Sequence, residues 1–331
     1  MARAGRLVPV LRVRAVTPPS ETGALVAELV ADPAVVNIVL ASGAARKPDG
    51  DLVTFDVARE AANDVIGRLR ARDLHRVGSI TVERIDVSIS DAAARAEALS
   101  PGDPSDAVIW EEVEARVRSE SGWSLSFTVL LVISGLLAAI GVLVDSPILI
   151  VGAMAVGPEY GPISLVAYGL ATGRAHRVHK GLAALAVGLP ITVAACGLLT
   201  VALRAADRVP AAYLRGERPL TSFISSPDLF AVLVAVLAGI AGAVTLAEAR
   251  HGALVGVLVS VTTIPAAANI GVALVMGRPG EAGGALAQLA LNLALLMVVG
   301  ALTFRLQAWV LRRPRHSEGP SGGPAGQDVA Q

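Results

Sequence analysis

The chain has 331 residues, of which 53% are hydrophobic and 17% are charged, and its formal net charge is zero. Soluble domains contain about 25% charged residues, so this composition disfavours an entirely soluble protein. The zero net charge gives no basis for nucleic-acid binding, and the single cysteine, Cys196, excludes a disulfide within one chain.

The first ninety residues alternate between strand and helix patterns. Apolar residues recur at every second position in the predicted strands. In chain order, we predict a strand at 7–16, a helix at 21–31 capped by Ser20, strands at 35–40 and 52–57, a helix at 59–72 and a strand at 79–90. This βαββαβ order is the ferredoxin-like plan, so residues 1–90 are predicted to form a ferredoxin-like α+β domain. Sensing, subunit contact and a purely structural role all stay open for it.

Residues 91–122 are predicted to connect this domain to the rest of the chain. Pro and Gly residues between 101 and 104 break regular structure, so Ala92–Asp106 is predicted to be a linker. The charged residues that follow predict a juxtamembrane helix at 106–119. At the other end of the chain, residues 312–331 are rich in Gly, Ser and Pro and are predicted to be disordered.

Long apolar stretches follow Trp123. A helix needs roughly 20 apolar residues to cross a bilayer, and an open sheet cannot satisfy its backbone in lipid. Six stretches qualify, at about 125–144, 147–171, 182–203, 229–247, 252–276 and 285–310. Residues 123–311 are therefore predicted to form an all-α transmembrane bundle of about six helices.

The charge distribution predicts the orientation of this bundle. The first 30 residues lack the apolar core of a signal peptide, so the N-terminal domain is expected to stay in the cytoplasm. Basic residues are concentrated in the predicted loop Thr172–Gly181 and after the last stretch, which favours the inner side for both. We expect a multi-pass protein of the cell inner (plasma) membrane with a cytoplasmic N-terminus and C-terminus.

The transmembrane half contains an internal repeat. A shift of 104 residues places Gly135 on Gly239, and Gly173-Arg174 on Gly277-Arg278. The first three stretches then map onto the last three. Because three spans is an odd number, the two copies would cross the membrane in opposite directions, as in the inverted 3+3 repeats of many transporters. Chance similarity among Gly- and Ala-rich helices is the alternative interpretation.

An acidic residue lies between two prolines inside the second stretch, in the sequence Gly157-Pro158-Glu159-Tyr160-Gly161-Pro162. Proline removes a backbone donor and clashes with the preceding turn, so the helix should break there. An acid at mid-bilayer costs at least about 2.5 kcal/mol on insertion scales, so such residues usually have a function. The pattern predicts a proton- or cation-linked site in an unwound helix. The alternative is a surface turn between two re-entrant half-helices.

Polar residues of the later stretches extend this candidate site. Thr263 aligns with Glu159 under the shift of 104 residues, and Gln288 and Asn292 share one helical face. The candidate substrate-binding residues are Gly157, Pro158, Glu159, Tyr160, Gly161, Pro162, Thr262, Thr263, Pro265, Asn269, Gln288 and Asn292. Repair of the helix around Pro265 and helix–helix hydrogen bonding are the alternative roles of the hydroxyls and amides.

The second stretch also carries a resemblance to a known family. Leu149-Ile150-Val151-Gly152-Ala153-Met154, followed by Gly157–Pro162, resembles the prokaryotic membrane family known as domain-of-unknown-function 389 (DUF389). The more usual motif of that family is similar to Ser-Pro-Leu-Met-Gly-Pro, so here the Ser is missing and Glu159 is added. Val255–Gly277, with one proline instead of a Pro-Pro pair, and Asn292 also look like the family. The resemblance covers roughly residues 120–310 and implies a multi-pass membrane protein without an assigned activity.

These features favour a secondary transporter or channel for a small solute or ion, with a cytoplasmic regulatory domain. The alternative is a non-transporting membrane sensor or scaffold whose soluble domain binds a ligand or partner. An enzyme is not expected, because the sequence has no nucleophile–base constellation, catalytic motif or metal-ligand spacing. We expect no metal and no cofactor. The expected partners are the lipid bilayer and a small solute or ion, without nucleic acid, and a homo-oligomer stays open.

Overall fold

A computed structural model describes residues 7–100, 108, 110–120, 123–225, 228–248 and 263–311. The contacts divide the chain into two compact units, with the boundary between residues 109 and 110. The second unit is Trp110–Leu311. The predicted tail at 312–331, most of the predicted linker after residue 100 and the first part of the fifth apolar stretch lie outside the described residues.

The described residues of the first unit form one four-stranded sheet and four helices. In chain order they are β1 Leu7–Thr17, α1 Pro19–Ala31, β2 Val35–Arg46, β3 Asp49–Val57, a 3-10 turn Arg59–Ala61, α2 Ala62–Ala71, α3 Leu74–Val77, β4 Ser79–Ile89 and α4 Asp91–Leu99. The strand order is β2-β3-β1-β4, and each neighbouring pair is antiparallel. Leu11 and Val13 of β1, Phe55 of β3 and Ile66 of α2 belong to one core cluster, so the helices cover a face of the sheet.

Two sequence predictions in this unit are wrong at the level of single elements. Ser20 does not cap α1, because the helix already begins at Pro19, whose fixed backbone angle suits a first helical turn. Residues 91–99 form α4 instead of a linker. Ser90 accepts a hydrogen bond from the backbone N–H of Ala93, and the alanines that follow favour a helix.

The first unit also extends beyond residue 90. Ala93 of α4 is buried in a cluster with Val8 and Val10 of β1. The side-chain amide of Asn63 donates to the carbonyl oxygen of Val108 at 2.7 Å. The chain between the strand β4 and the second unit is therefore partly packed onto the first unit.

The second unit is helical throughout its described residues. Its helices are α5 Trp110–Glu120, α6 Leu125–Leu143, α7 Pro147–Val156, α8 Tyr160–Thr172, α9 Ala175–Ala205, α10 Ala211–Arg215, α11 Leu229–Glu248, α12 Ile264–Val275 and α13 Pro279–Leu311, with a 3-10 turn at Ser222–Ser225. Four of them, α6, α9, α11 and α13, are long and apolar enough to cross a membrane. The bent pair α7 and α8 adds a fifth if it counts as one span, and α12 is a shorter apolar helix. These helices fit a membrane protein.

The predicted loop Thr172–Gly181 is much shorter than expected, because α9 begins at Ala175. Basic residues such as Arg177 and Lys180 end an apolar stretch, but they do not end a helix. The basic residues therefore lie in the first turns of α9, before the apolar part of the same helix.

The helix boundaries repeat along the second unit. Adding 104 to the bounds of α6 gives 229–247, which lies within α11, and adding it to those of α8 gives 264–276, against 264–275 for α12. The same shift takes α9 to 279–309, within α13. The turns agree as well, since Gly173 and Gly277 have φ angles of 68° and 70°. The next amide, of Arg174 or Arg278, donates to the equivalent carbonyl oxygen, of Gly169 or Ala273, at 2.9 Å.

Candidate functional site

The second apolar stretch is broken at the predicted position. The helix α7 ends at Val156 and α8 begins at Tyr160, and the two axes are bent by 60°. Pro158 lies in the break and has no amide hydrogen to continue the helix. Gly161 and Pro162, which the sequence also places in the candidate site, are buried in the first turn of α8 instead. The break itself is therefore confined to 157–159.

Glu159 occupies the N-cap position of α8 and is completely buried. Its Oε1 atom accepts a hydrogen bond from the hydroxyl of Thr263 at 3.1 Å. Thr263 is also completely buried and is the N-cap residue of α12. The two residues are 104 positions apart, so the equivalent residues of the two copies are in direct contact.

The starts of α8 and α12 therefore meet at the Glu159 carboxylate. Backbone N–H groups at a helix start have no partner within the helix, and the macrodipole makes this end partially positive. Neither N-cap side chain, however, accepts a hydrogen bond from the start of its own helix. Pro265 lies in the first turn of α12, where its missing amide hydrogen costs nothing. Thr262 lies outside the described residues.

Gly157 is required by the position of the carboxylate. A Cβ atom added at Gly157 would lie 2.3 Å from Oε2 and 3.1 Å from Cδ of Glu159. The side chain of Glu159 thus folds back over the glycine backbone. Any side chain at position 157 would displace the carboxylate from its present place.

The remaining polar candidates lie in α12 and α13. The side-chain amide of Gln288 donates to Oδ1 of Asn292 at 3.4 Å, and both residues are buried. Asn269 is 2% exposed, and its Oδ1 atom has no hydrogen-bond donor among the described residues. The structure therefore brings Glu159 together with Thr263, and Gln288 with Asn292. Whether all of them line one cavity stays a prediction.

A narrow crevice begins next to the break. The phenol of Tyr160 donates to the carbonyl oxygen of Gly242 in α11 at 2.5 Å. From Tyr160, the crevice runs between α8, α11 and α13 to Phe304. Its volume is about 10 Å³, which is room for about one water molecule.

An ion pair and three aromatic rings close one end of the unit. Phe304 packs edge-on against Tyr168 with ring centroids 5.8 Å apart, and Trp110 of α5 lies 6.5 Å from Tyr168. The guanidinium of Arg177 lies 5.1 Å from the centre of the Tyr168 ring and pairs with Glu114. Arg174 also donates to Glu114, at 2.9 Å, and both arginines fall in the predicted loop Thr172–Gly181.

A second ion pair occupies the equivalent positions of the other copy, with the charges exchanged. Adding 104 to Glu114 and Arg177 gives Arg218 and Glu281, which pair at 2.5 Å. The guanidinium of Arg218 lies 4.5 Å from the centre of the Tyr213 ring. Burial raises the pKa of Tyr213, and the charge of Glu281 acts in the same direction. Sequence comparison misses this pair because an acid aligned with a base counts as a mismatch.

A metal site is not evident, since the described residues include no group of three or more His, Cys, Asp or Glu side chains that could hold an ion. Neither the curated proteins nor the solved structures contain a significant match to the chain. Residues 154–298 match the family model described as Domain of unknown function (DUF389). This match includes the break at 157–159, Thr263 and the Gln288–Asn292 pair.

Proposed function

We propose that this chain, which belongs to the DUF389 family, is a secondary transporter or channel that moves a small solute or ion through its helical unit in a proton-linked manner. The observation that carries the proposal is the hydrogen bond between Glu159 and Thr263 at the meeting point of two helix starts. A carboxylate is the one group of this pair that can gain and lose a proton. Broken helices whose ends converge on a polar group are the usual architecture of transporter sites.

The proposal includes six spans arranged as an inverted 3+3 repeat. The recurrence of helix bounds and turn geometry after 104 residues supports two copies of one three-span unit. On this arrangement, α12 would be the second half of a broken fifth span. The two copies cross in opposite directions, so the ion pairs Glu114–Arg177 and Arg218–Glu281 lie near opposite membrane faces.

The orientation and the first unit complete the proposal. Basic residues at the Arg174 turn favour the cytoplasmic side of the inner membrane for this end of the bundle. The first unit then lies in the cytoplasm and acts as a regulatory domain. The strand order β2-β3-β1-β4, with helices between β1 and β2 and between β3 and β4, supports the ferredoxin-like plan for it.

A matched pair of variants tests the role of Glu159. Glu159→Gln keeps the size of the side chain and its ability to accept from Thr263, but it cannot ionise. Glu217→Gln is the control, because Glu217 is 58% exposed and pairs with Arg215 on the surface. Purified full-length protein is reconstituted into vesicles that contain a pH-sensitive dye, and pools of small organic ions, amino acids and alkali cations are added outside.

We expect at least one pool to cause internal acidification with the wild type and with Glu217→Gln, and a loss of at least tenfold in this rate with Glu159→Gln. Equal rates in Glu159→Gln and the wild type would remove the acid from the mechanism. If the wild-type protein is folded but none of the pools causes internal acidification, the result would favour the sensor or scaffold, for which the helical unit only serves as an anchor.

A further inference from the structure

We infer that Asn269 and Gln288 supply oxygen ligands to a small monovalent cation, either an alkali ion or a protonated amine. The site lies in the second copy of the repeat, which contains α11, α12 and α13. Two buried amide oxygens without a donor carry this inference, which rests on the proposed function because it names a chemical class for what the helical unit binds.

Two amide side chains of α12 and α13 are buried with an unpartnered oxygen. Asn269 and Gln288 are each 2% exposed, and neither Oδ1 of Asn269 nor Oε1 of Gln288 has a donor among the described residues. The nitrogen of Gln288 is already used, since it donates to Oδ1 of Asn292. A buried acceptor without a donor destabilises a folded protein, so each oxygen calls for a partner with a positive charge or a donor hydrogen.

The first copy, which contains α6 to α9, packs without amides at the equivalent positions. A shift of 104 residues takes Asn269, Gln288 and Asn292 to Leu165, Ala184 and Gly188. Leu165 and Ala184 are 2% and 3% exposed, so these places are equally buried in both copies. The three-helix plan therefore does not require the amides. Hydrogen bonding between membrane helices accounts for paired amides, but it does not account for the two oxygens that have no donor.

Packing in the first copy indicates the level at which the equivalent helices meet. A Cβ added at Gly181 of α9 would lie 2.7 Å from the carbonyl oxygen of Pro162 and 2.7 Å from Cγ2 of Val166, both of α8. A shift of 104 residues turns this contact into one between Ala285 of α13 and residues 266–270 of α12. The helices α12 and α13 pack directly on each other, as this register requires.

This register brings the two amides together. Asn269 lies within the segment 266–270, and Gln288 is three residues after Ala285, a rise of about 4.5 Å along α13. The helices α12 and α13 are joined by the short turn 276–278 and run antiparallel. Side chains tilt toward the start of their own helix, so Asn269 and Gln288 tilt toward each other across the interface. Two unpartnered oxygens are thereby assigned to one region of the interior.

The oxygens define the chemistry of the ligand. An amide oxygen only accepts, so it binds a positive charge or a donor hydrogen and does not bind an anion. Carbonyl oxygens are ligands of alkali ions in channels and transporters, and an ammonium group offers them three N–H donors. Divalent cations favour sites that include carboxylates, whereas both of these ligands are neutral. Because Asn269 and Gln288 are almost completely buried, the bound cation is enclosed and must be small.

Thermal unfolding of the full-length protein in detergent tests the site. Midpoints are compared in the chlorides of sodium, potassium, methylammonium and choline, of which choline is the reference because its quaternary nitrogen is bulky and has no N–H. Asn269→Leu introduces the residue type of the first copy, and Gln288→Met, which keeps the side-chain length, is the second variant. Thr200→Val is the control, because Thr200 is 0% exposed and donates within its own helix to the carbonyl oxygen of Cys196.

We expect at least one small cation to raise the wild-type midpoint by at least about 3 °C over choline at roughly 100 mM, and Thr200→Val to keep this shift. Asn269→Leu and Gln288→Met should each lose most of it. In choline, Asn269→Leu should be at least as stable as the wild type, because the substitution removes an unpartnered buried oxygen. A shift with sodium or potassium identifies an alkali ion, and a shift with methylammonium alone identifies an amine; either supports the site.

Three results would overturn the cation site. The first is a wild-type midpoint that is the same in all four salts, and the second is a shift that both variants keep. The third is a fall of both variants by an equal amount in every salt, or their failure to fold, since either would give the amides a packing role. Glu159-dependent proton flux without a cation shift would leave the proposed function standing, whereas a cation shift without flux would keep the site and remove transport.

Discussion

The two units of the chain bury different kinds of side chain. In the first unit the core is made of large residues such as Phe55, Leu25 and Ile66, which are 0–1% exposed. In the second unit many of the buried residues are small, such as Ala138 and Ala267 at 0% exposed, although larger ones such as Leu131 are buried with them, and many other large apolar residues lie on the surface. Water drives large apolar groups inward, but lipid does not, so membrane helices associate through close packing of small residues.

This difference implies opposite sensitivities to mutation. The first unit should be damaged when a large buried residue becomes small, because burial of apolar area stabilises it. The second unit should be damaged when a small buried residue becomes large, because at several glycines an added Cβ atom would lie too close to an atom of the neighbouring helix.

The largest effect is expected for Phe55→Ala in the first unit. Phe55 is 0% exposed in the inner strand β3, and truncation of a buried Phe costs about 3–5 kcal/mol through lost burial and the cavity left behind. Hydrogen exchange of β1 and β3 peptides in the full-length protein should lose protection, while α9 and α12 peptides stay protected. Loss of protection in both units would show that they do not unfold separately.

A smaller loss of stability is expected in the second unit, from the opposite kind of substitution, in which a small residue becomes larger. A Cβ at Gly271 of α12 would lie 2.4 Å from the carbonyl oxygen of Val193 in α9, so Gly271→Ala forces the two helices apart. Overpacking of this kind costs about 1–3 kcal/mol, and the thermal unfolding midpoint in detergent should fall. Gly152→Ala is the control, since a Cβ there meets nothing within 4 Å. Equal midpoints for the two variants would contradict the packing argument.

The smallest effect is expected for Asp51, whose contribution to the stability of the first unit depends on pH. Asp51 accepts from the backbone N–H of Gly43 and from the hydroxyl of Thr22, both at 2.7 Å, and these bonds hold the pKa of Asp51 below its ordinary value. The stability it contributes is therefore present above about pH 4 and is lost as the pH falls through the lowered folded pKa.

Asp51→Asn should accordingly reduce the protection of β2 and β3 peptides at about pH 7 more than at about pH 3. Asp49→Asn is the control, because Asp49 is exposed on the same strand. An equal loss at both pH values would mean that the ionised form of Asp51 gives no advantage.

Apolar patterns predict several elements of both units closely and miss others. The alternation of apolar residues predicts β1 and β4 within one residue, and hydropathy predicts α6 and α11 equally well. The helix α4 is missed because its alanines show neither an apolar face nor a breaker before residue 101. Such a segment becomes ordered through contacts with β1, which lies more than 80 positions earlier and leaves no local pattern.

The candidate site is predictable only as a set of positions. The prolines around Glu159 predict the break, and the repeat aligns Glu159 with Thr263, but neither pattern states that these two side chains touch. The Arg218–Glu281 pair is not predictable from similarity, because its residues differ in charge from those they align with. Contacts between segments that are distant in sequence depend on three-dimensional packing, which the order of residues does not display.

The close approach of the Glu159 carboxylate to Gly157 links two positions that would otherwise vary independently. An acid can occupy its present place only beside a residue without a Cβ atom. The motif to which this segment is similar, Ser-Pro-Leu-Met-Gly-Pro, obeys the same rule, since a serine at the first place accompanies a leucine at the third. Relatives that acquire the acid should therefore also acquire the glycine two residues earlier, and this two-letter signature would mark the relatives that can hold a carboxylate in this place.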